Sequence, residues 1–423
     1  MSLKHKSLFN ELKKGYTSFF PLPGPVDQYH DEHVAWKRCA LYSLENMFPR
    51  LEKKANPVGC AHKPETRKLD VNMEKDPVEG SEAIVYSGVL TTSSQRRKVA
   101  IKVIWRNKES PDEYWAQVVA VANELITHVM AYAAKPTKVI RIFDVIWRPD
   151  YFLVIMDQAL MDLLYFIYDE NPNNRYPFDA RLWPSERDPV KLDSDWHSPV
   201  KEDTFYEYKQ VIWEKDMHCI FQQLVDGLDA LHRQKIYHRD IKIENILVMG
   251  RSKRGCPKVI FSDFGRGWQT KYSMPPGIRS ALGTYHLLPE MCFKEKEYAN
   301  IDVKHFEDVD FYSLIASLHK LLFFEKDERP DIGEKKFTSR VLSKDEIKDS
   351  LMTKGLQTLL KSVLEVTLPL PNGQTISQTV KENMGRWARS LDKKEEELRK
   401  SLIEMERRQR PVKMRSARRT SIG

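Results

Sequence analysis

The chain is poor in cysteine: five in 423 residues, at Cys39, Cys60, Cys219, Cys256 and Cys292, with no C-x-x-C pair. This scarcity argues against a disulfide-stapled secreted scaffold and reads as reduced thiols in an intracellular protein, cytoplasmic or nuclear. Cys60-Ala61-His62 offers two potential metal ligands without a second pair, which falls short of a zinc site. Long apolar runs are also missing. No stretch of about eighteen apolar residues occurs, so no transmembrane helix is expected. The opening Met1-Ser2-Leu3-Lys4-His5-Lys6 lacks the apolar core of a signal peptide. No repeat with a period of about 20–50 residues is found, which excludes a solenoid. Acid is missing from one end. Arg407 to Gly423 holds seven Lys/Arg and no Asp or Glu, leaving 61 bases against 60 acids elsewhere. The net charge of +8 therefore belongs to the tail, and the body is not a polybasic nucleic-acid binder.

What is present suits a sizeable core: 41% of residues are hydrophobic, and the length fits two domains or one two-lobed domain with extensions. The most informative run is Tyr237-His238-Arg239-Asp240-Ile241-Lys242-Ile243-Glu244-Asn245. It sets an acid, a cation and an amide close together. Phosphoryl transfer needs all three: a proton acceptor, a compensating charge and a magnesium ligand. Asp263-Phe264-Gly265 follows eighteen residues after Asn245. Upstream, in Val99-Ala100-Ile101-Lys102-Val103, the strand period puts the three valine and isoleucine side chains on one face and Lys102 on the other. A lysine within an apolar run needs an anion or water at its head.

These segments resemble, in order, the H-R-D-x-K-x-x-N catalytic loop, the D-F-G and the V-A-I-K of the protein kinase family. The resemblance spans about residues 71–380 and is closest from 236 to 315. It implies an α+β fold of two lobes: a small, mostly antiparallel β lobe at 71–158 and a larger, mostly helical lobe at 159–380. It implies ATP and Mg²⁺ as cofactors and a protein substrate. Asp240 would take the substrate's proton and Lys242 would stabilise the transferred group. Asn245 and Asp263 would hold Mg²⁺, and Lys102 would grip the α- and β-phosphates. Lys242 favours serine/threonine over tyrosine specificity. Val78, Gly80, Val85, Ala100 and Leu247 would line the nucleotide, with Met156 behind the adenine and the backbone of Asp157 to Ala159 bonding the base.

The glutamate partner of Lys102 is expected in a helix from Tyr114 to Tyr132, where Val118, Val121, Leu125, Val129 and Tyr132 make one stripe. Glu124 stands beside that stripe, and Glu113 is the rival. Four residues after Glu124, where kinases usually carry a large apolar side chain of an internal spine, this chain has His128. Either the register is shifted or the spine has a polar member.

Other departures stand out. Of the three glycines in G-x-G-x-x-G-x-V only Gly80 remains; Val78 and Ala83 replace the others, implying a stiffer loop. Gly283-Thr284-Tyr285-His286-Leu287-Leu288-Pro289-Glu290 resembles the end of an activation segment with Leu288 in place of alanine. By family position Thr284 contacts the catalytic site, while Tyr272, Ser273 and Ser280 are candidate phosphorylation sites that Arg239 could sense. Asp310 would anchor the catalytic-loop backbone. With the glycine loop and the segment end both altered, a pseudokinase scaffold is the alternative function, and a small-molecule kinase on the same fold is a third.

Outside this span, residues 1–70 form an extension with apolar positions able to pack on the domain. Leu160 to Tyr168 reads as a short helix. Residues 169–212, polar with five prolines, read as a partly disordered insertion. Residues 381–423 form a helical and then basic tail, with a helix from Lys393 to Met405. Its basic end is a candidate contact for a nuclear import factor, nucleic acid or acidic membrane.

Overall fold

The structure, a computed structural model, describes residues 3–18, 65–79, 83–105, 111–148, 151–168, 199–252, 255–269, 283–284, 287–289, 292–294, 297–298, 303–323, 352–364 and 374–417. Gly80, Tyr272, Ser273, Ser280 and Glu290 lie outside these residues, as does 169–198 of the expected insertion.

The N-terminal half is built on an antiparallel sheet. Its strands are β1 (Tyr16–Ser18), β2 (Glu65–Val71), β3 (Val78–Glu79), β4 (Ile84–Thr91), β5 (Arg96–Trp105), β6 (Ile142–Arg148) and β7 (Tyr151–Asp157), paired in the order β1-β2-β4-β5-β7-β6 with β3 on β4. In β5 the period-two expectation holds: Val99, Ile101 and Val103 are fully buried, while Ala100 and Lys102 face the other side and are half-buried. Helix α1 (Leu3–Lys14) puts Phe9 and Leu12 into this core, where the Phe9 ring meets Tyr86 edge-on at 5.0 Å. Part of the N-terminal extension thus packs on the sheet. Residues 19–64 of the extension lie outside the described residues; within the described part the packing is done by α1. Beneath β1 sits a buried ion pair, Arg67 to Asp144 at 3.0 Å, with a second Arg67 bond to the Phe143 carbonyl.

Helix α2 (Pro111–Ala134) lies on the other side of the sheet, where Val121, Leu125 and Val129 meet Ile104, Ile142, Phe152 and Val154. Beyond β7 the chain pairs briefly as β8 (Met161–Asp162) before α3 (Leu163–Tyr168), so only the second part of the expected short helix is helical.

The C-terminal half is mainly helical. Helix α4 runs from Pro199 to Arg233, so the expected loop insertion ends at 198 and its last residues are helix. Proline at the first helical position fits, because its missing N–H would have no intrahelical partner there. Met217, Ile220, Phe221, Leu224, Leu228 and Leu231 of α4 form the central stripe of the largest core. After it come β9 (Ile236–Tyr237), the hairpin β10 (Ile246–Arg251) with β11 (Pro257–Phe261), β12 (Trp268–Gln269), the short pair β13 (Phe293–Lys294) and β14 (Glu297–Tyr298), then α5 (Phe306–Phe323), α6 (Lys354–Leu364) and α7 (Ile376–Ala417).

Helix α7 is far longer than the expected Lys393–Met405, and it passes position 380 without a break. Its buried stripe of Ile376, Val380, Met384, Trp387, Leu391, Leu398 and Leu402 follows steps of three, four or seven residues, which keep to one helical face. The tail helix therefore packs back on the core. Gly355 permits this: a Cβ there would lie 2.6 Å from the Trp387 Cα. The buried Glu214 carboxylate of α4 ties the junction, accepting bonds from the Thr353 N–H at 2.9 Å, the Thr353 hydroxyl at 2.7 Å and the Trp387 indole at 3.1 Å. Two i,i+4 ion pairs run along α7, Arg399–Glu395 at 3.0 Å and Lys400–Glu396 at 2.6 Å.

The cysteine reading needs correction. Cys219 of α4 and Cys256, beside β11, are disulfide-bonded, with Cα atoms 6.4 Å apart. Cys292 is a buried free thiol. A separation of 37 residues and two different elements hid the pairing from sequence reasoning. Among the described residues no helix is long and apolar enough to cross a membrane.

Candidate active site

Strand β5 presents Lys102 toward α2, and its Nζ donates to Glu124 Oε1 at 2.7 Å. This resolves the rivalry with Glu113 and settles the register of α2. The same ammonium lies 3.7 Å from Asp263 Oδ1. Burial pushes the Asp263 carboxyl up, but the Lys102 ammonium and the Gly265 N–H more than offset it, so its pKa lies below the ordinary carboxylate value.

With the register fixed, His128 is a polar member of the interior. It is buried and its Nε2 lies 2.7 Å from the Ile140 carbonyl, so Nε2 carries the proton. Its ring meets Phe264 edge-on at 5.2 Å, and Phe264 meets His238 at 4.6 Å. Desolvation lowers the His128 pKa to about 4.

The loop from His238 to Asn245 is held from below by Asp310 of α5. This fully buried carboxylate accepts the His238 N–H at 2.9 Å and the Arg239 N–H at 2.7 Å, with His232 Nε2 at 2.8 Å. His232 gave no sign of this role in the sequence, because its partner Asp310 lies 78 residues away in the chain. Arg239 has a left-handed backbone, φ +64°, and Asp263 likewise, φ +57°. Such strain persists only where surrounding contacts over-determine it. The Arg239 side chain is buried over the Phe306 ring at 4.7 Å and donates to the Arg266 carbonyl at 3.3 Å. Burial lowers its pKa to about 10.

Around Asp240 three side chains converge. Thr284 Oγ1 donates to Oδ1 at 2.8 Å, Asn245 Nδ2 reaches Oδ2 at 3.3 Å, and Lys242 Nζ lies 3.6 Å from Oδ2. Thr284 thus takes the contact expected of it. Its neighbour Gly283 has φ +102°, and a Cβ there would lie 2.3 Å from the Arg239 carbonyl oxygen, so only glycine lets the segment approach this closely. Asn245 Nδ2 also bonds the Asp240 carbonyl at 2.9 Å. Ser262 donates through both N–H and hydroxyl to the Asn245 carbonyl at 2.9 Å, which links the loop to the segment bearing Asp263.

The remaining expected residues sit on strands beside Lys102. Val85 pairs with Lys102, Val78 with Val85, and Ala100 with Met156 across the ladders. Val78 is 66% exposed, and Leu247 is half-buried on β10. The Asp157 N–H is used within the sheet, donating to the Arg141 carbonyl at 2.9 Å, and the Asp157 carboxylate bonds Arg141 Nε at 3.1 Å. Magnesium commonly takes one or two protein oxygens and completes its shell with phosphate and water. Asn245 with an ionised Asp263 is a donor set of that kind.

Two family models match, each over more than half of the chain: "Protein kinase domain" over residues 198–417 and "Protein tyrosine and serine/threonine kinase" over 71–303. Among curated proteins, the serine/threonine-protein kinase/endoribonuclease ire-1 of Caenorhabditis elegans is 35% identical over 105 residues, covering 24% of this chain and 11% of that protein. Cyclin-dependent kinase G1 of Arabidopsis thaliana is 28% identical over 114 residues, 27% of this chain and 17% of that protein. Serine/threonine-protein kinase TOS3 of Saccharomyces cerevisiae is 38% identical over 109 residues, 24% of this chain and 18% of that protein. The matched stretches thus span less than a fifth of each of these relatives. With the family models extending over both the sheet and the helices that frame Lys102, Asp240 and Asp263, the chain belongs to the eukaryotic-type serine/threonine protein kinase family.

Proposed function

We propose that this protein is an active, ATP-dependent serine/threonine protein kinase, with the nucleotide held between a small β lobe and a larger helical lobe. The observation that carries the reading is the Lys102 ammonium lying 2.7 Å from Glu124 and 3.7 Å from Asp263, which brings a phosphate-binding cation and a metal-binding carboxylate into one place. Lys102 positions the α- and β-phosphates. Asn245 and Asp263 hold Mg²⁺, which supplies charge neutralisation at the phosphates. The Asp157 carbonyl and the Ala159 backbone accept and donate to the adenine edge, with Met156 behind it and Val78, Gly80, Val85, Ala100 and Leu247 around it. Asp240 orients the substrate hydroxyl and takes its proton, held by Thr284. Lys242, beside Asp240, stabilises the phosphoryl group in flight.

A pseudokinase scaffold is the second reading. The observation favouring it is the branched, exposed Val78 where kinases carry a flexible glycine. A phosphorylation assay on a degenerate peptide library, wild type beside Asp240→Asn, separates the two. Phosphate incorporation that vanishes in the variant supports the enzyme; none in either protein supports the scaffold. The presence of serine or threonine in the labelled peptides tests the specificity assigned to Lys242.

A further inference from the structure

The Cys219–Cys256 bond joins two elements on which the site depends. Cys219 lies on α4, which leads to the catalytic loop, and Cys256 closes the turn of the β10–β11 hairpin. One strand of that hairpin starts just after Asn245, and the other ends at Phe261, two residues before Asp263. The two candidate magnesium ligands are therefore the two ends of one hairpin, and the disulfide clamps its far end.

The clamp is not the hairpin's only tether. Gln223 Nε2 donates to the Pro257 carbonyl at 2.7 Å and to the Cys219 carbonyl at 3.2 Å, and Arg251 lies 4.0 Å from Asp216. The hairpin can thus keep its place on α4 when the sulfurs part. Both cysteines are half-buried and within reach of a small reagent. Their surroundings are electropositive. Lys138 Nζ donates to Gln223 Oε1 at 2.9 Å, Lys135 and Lys258 are near enough to act on Lys138, and Arg251 closes the hairpin side; the acids facing them are Asp226 and Asp216. Cations and N–H donors favour the thiolate, which is the reactive form. With its two N–H bonds directed at the Pro257 and Cys219 carbonyls, the Gln223 amide still sets the positive end of its dipole 3.3 Å from Cys256 Sγ and 3.9 Å from Cys219 Sγ, nearer Cys256.

We propose that Cys219 and Cys256 form a reversible redox modification site that exchanges with low-molecular-weight disulfides of the glutathione class. Cys256 is the attacking thiol, and closure of the bond tightens binding of the magnesium nucleotide; this last part rests on the kinase reading above. The exchange balances. The Cys256 thiolate attacks one sulfur of glutathione disulfide, forming a mixed disulfide and expelling one glutathione thiolate with the electron pair of the broken bond. The Cys219 thiolate then attacks Cys256 Sγ and expels the second. The protein's two thiols are oxidised, one small disulfide is reduced to two thiols, and the two protons pass to the departing thiolates.

The test uses the full chain, equilibrated at graded ratios of reduced to oxidised glutathione. Thiols are trapped by alkylation and read by mass spectrometry, and Mg–ATP affinity is measured by calorimetry on the fully oxidised and fully reduced protein. The bonded fraction is expected to fall as reduced glutathione rises and to return when the ratio is reversed. Cys219→Ser is expected to capture glutathione on Cys256 faster than Cys256→Ser captures it on Cys219. The oxidised form is expected to bind Mg–ATP about two- to tenfold more tightly, the effect of pre-ordering about one side chain. A bond that persists at every ratio, equal capture rates, or equal affinities would overturn the corresponding part. If a serine variant does not fold, the wild-type titration still decides whether the pair is reversible. If neither redox form binds Mg–ATP, the kinase reading and the affinity effect fall together, while the trapping result judges the redox couple separately.

Discussion

Asp310 holds Arg239 in a left-handed backbone conformation by accepting its N–H at 2.7 Å from a side chain with no solvent exposure. The same carboxylate holds His238 and His232, so one buried charge orients the loop that ends at Asp240 and Asn245. Asp310→Ala removes the acceptor and leaves two buried amides unsatisfied. We expect a loss of about 3–5 kcal/mol in unfolding free energy, read from urea melts. A variant with a wild-type midpoint would show that the loop is shaped by other contacts.

Lys102→Met and Asp263→Asn are each expected to abolish phosphoryl transfer with the fold largely intact, since both side chains serve phosphate and metal rather than the core. Losing one metal ligand costs several kcal/mol of transition-state stabilisation. Single-turnover rates and circular dichroism on the same samples check this. Retention of more than about a tenth of wild-type turnover in Asp263→Asn, tenfold being about 1.4 kcal/mol, would contradict its metal-binding role.

The hydroxyl of Thr284 donates to Asp240 at 2.8 Å. A hydrogen bond to a charged group contributes about 1.5–3 kcal/mol, so Thr284→Val is expected to lower kcat by about ten- to a hundredfold. Thr284→Ser restores the hydroxyl and is expected to recover most of the rate. Equal activity in the two variants would mean that the contact does not matter in turnover.

His128 gives the protein a pH dependence of defined sign. Its folded pKa is about 4 against an ordinary 6.5. Between these values the unfolded chain binds more protons than the folded protein, so stability rises as pH rises from about 4 to 6.5 and is lost on acidification through that window. The contribution is on the order of 3 kcal/mol. His319, also lowered by burial to about 4, acts in the same window. Asp310 and Asp263 add their own acid loss lower down, because their folded pKa values lie below the ordinary 3.8. His128→Met is expected to flatten part of the slope of unfolding free energy between pH 4 and 6.5, with His319 and His218, also lowered by burial, retaining their share and the raised buried carboxylates such as Asp144 opposing it. An unchanged slope would mean that His128 takes up a proton in the folded protein.

Trp387 has no solvent exposure, and its indole donates to the buried Glu214. Trp387→Ala is expected to cost about 3–5 kcal/mol, and removal of residues 376–423 to leave the helical half unable to fold. Removing 407–423 alone is expected to leave the thermal midpoint unchanged, because Leu402 is the last buried side chain of α7 among the described residues. Calorimetry of the three proteins decides. A stable 1–375 fragment would make α7 an appendage.

The chemistry-bearing residues were legible because they are local. Asp240, Lys242 and Asn245 fall within six residues, Asp263 to Gly265 are contiguous, and the face of Lys102 follows from the strand period alone. A helical stripe likewise pointed to Glu124. What only the tertiary structure decided depends on residues far apart in the chain. Glu124 rather than Glu113 pairs with Lys102 because packing of α2 on the sheet sets which turn faces the strand. His128 became interior when that register was set. Cys219 meets Cys256 because the β10–β11 hairpin lies across α4. The tail helix reaches the core because Gly355 lets α6 approach the backbone of α7 at Trp387. Local periodicity says which face of an element is apolar; which other element covers that face is a property of the folded chain.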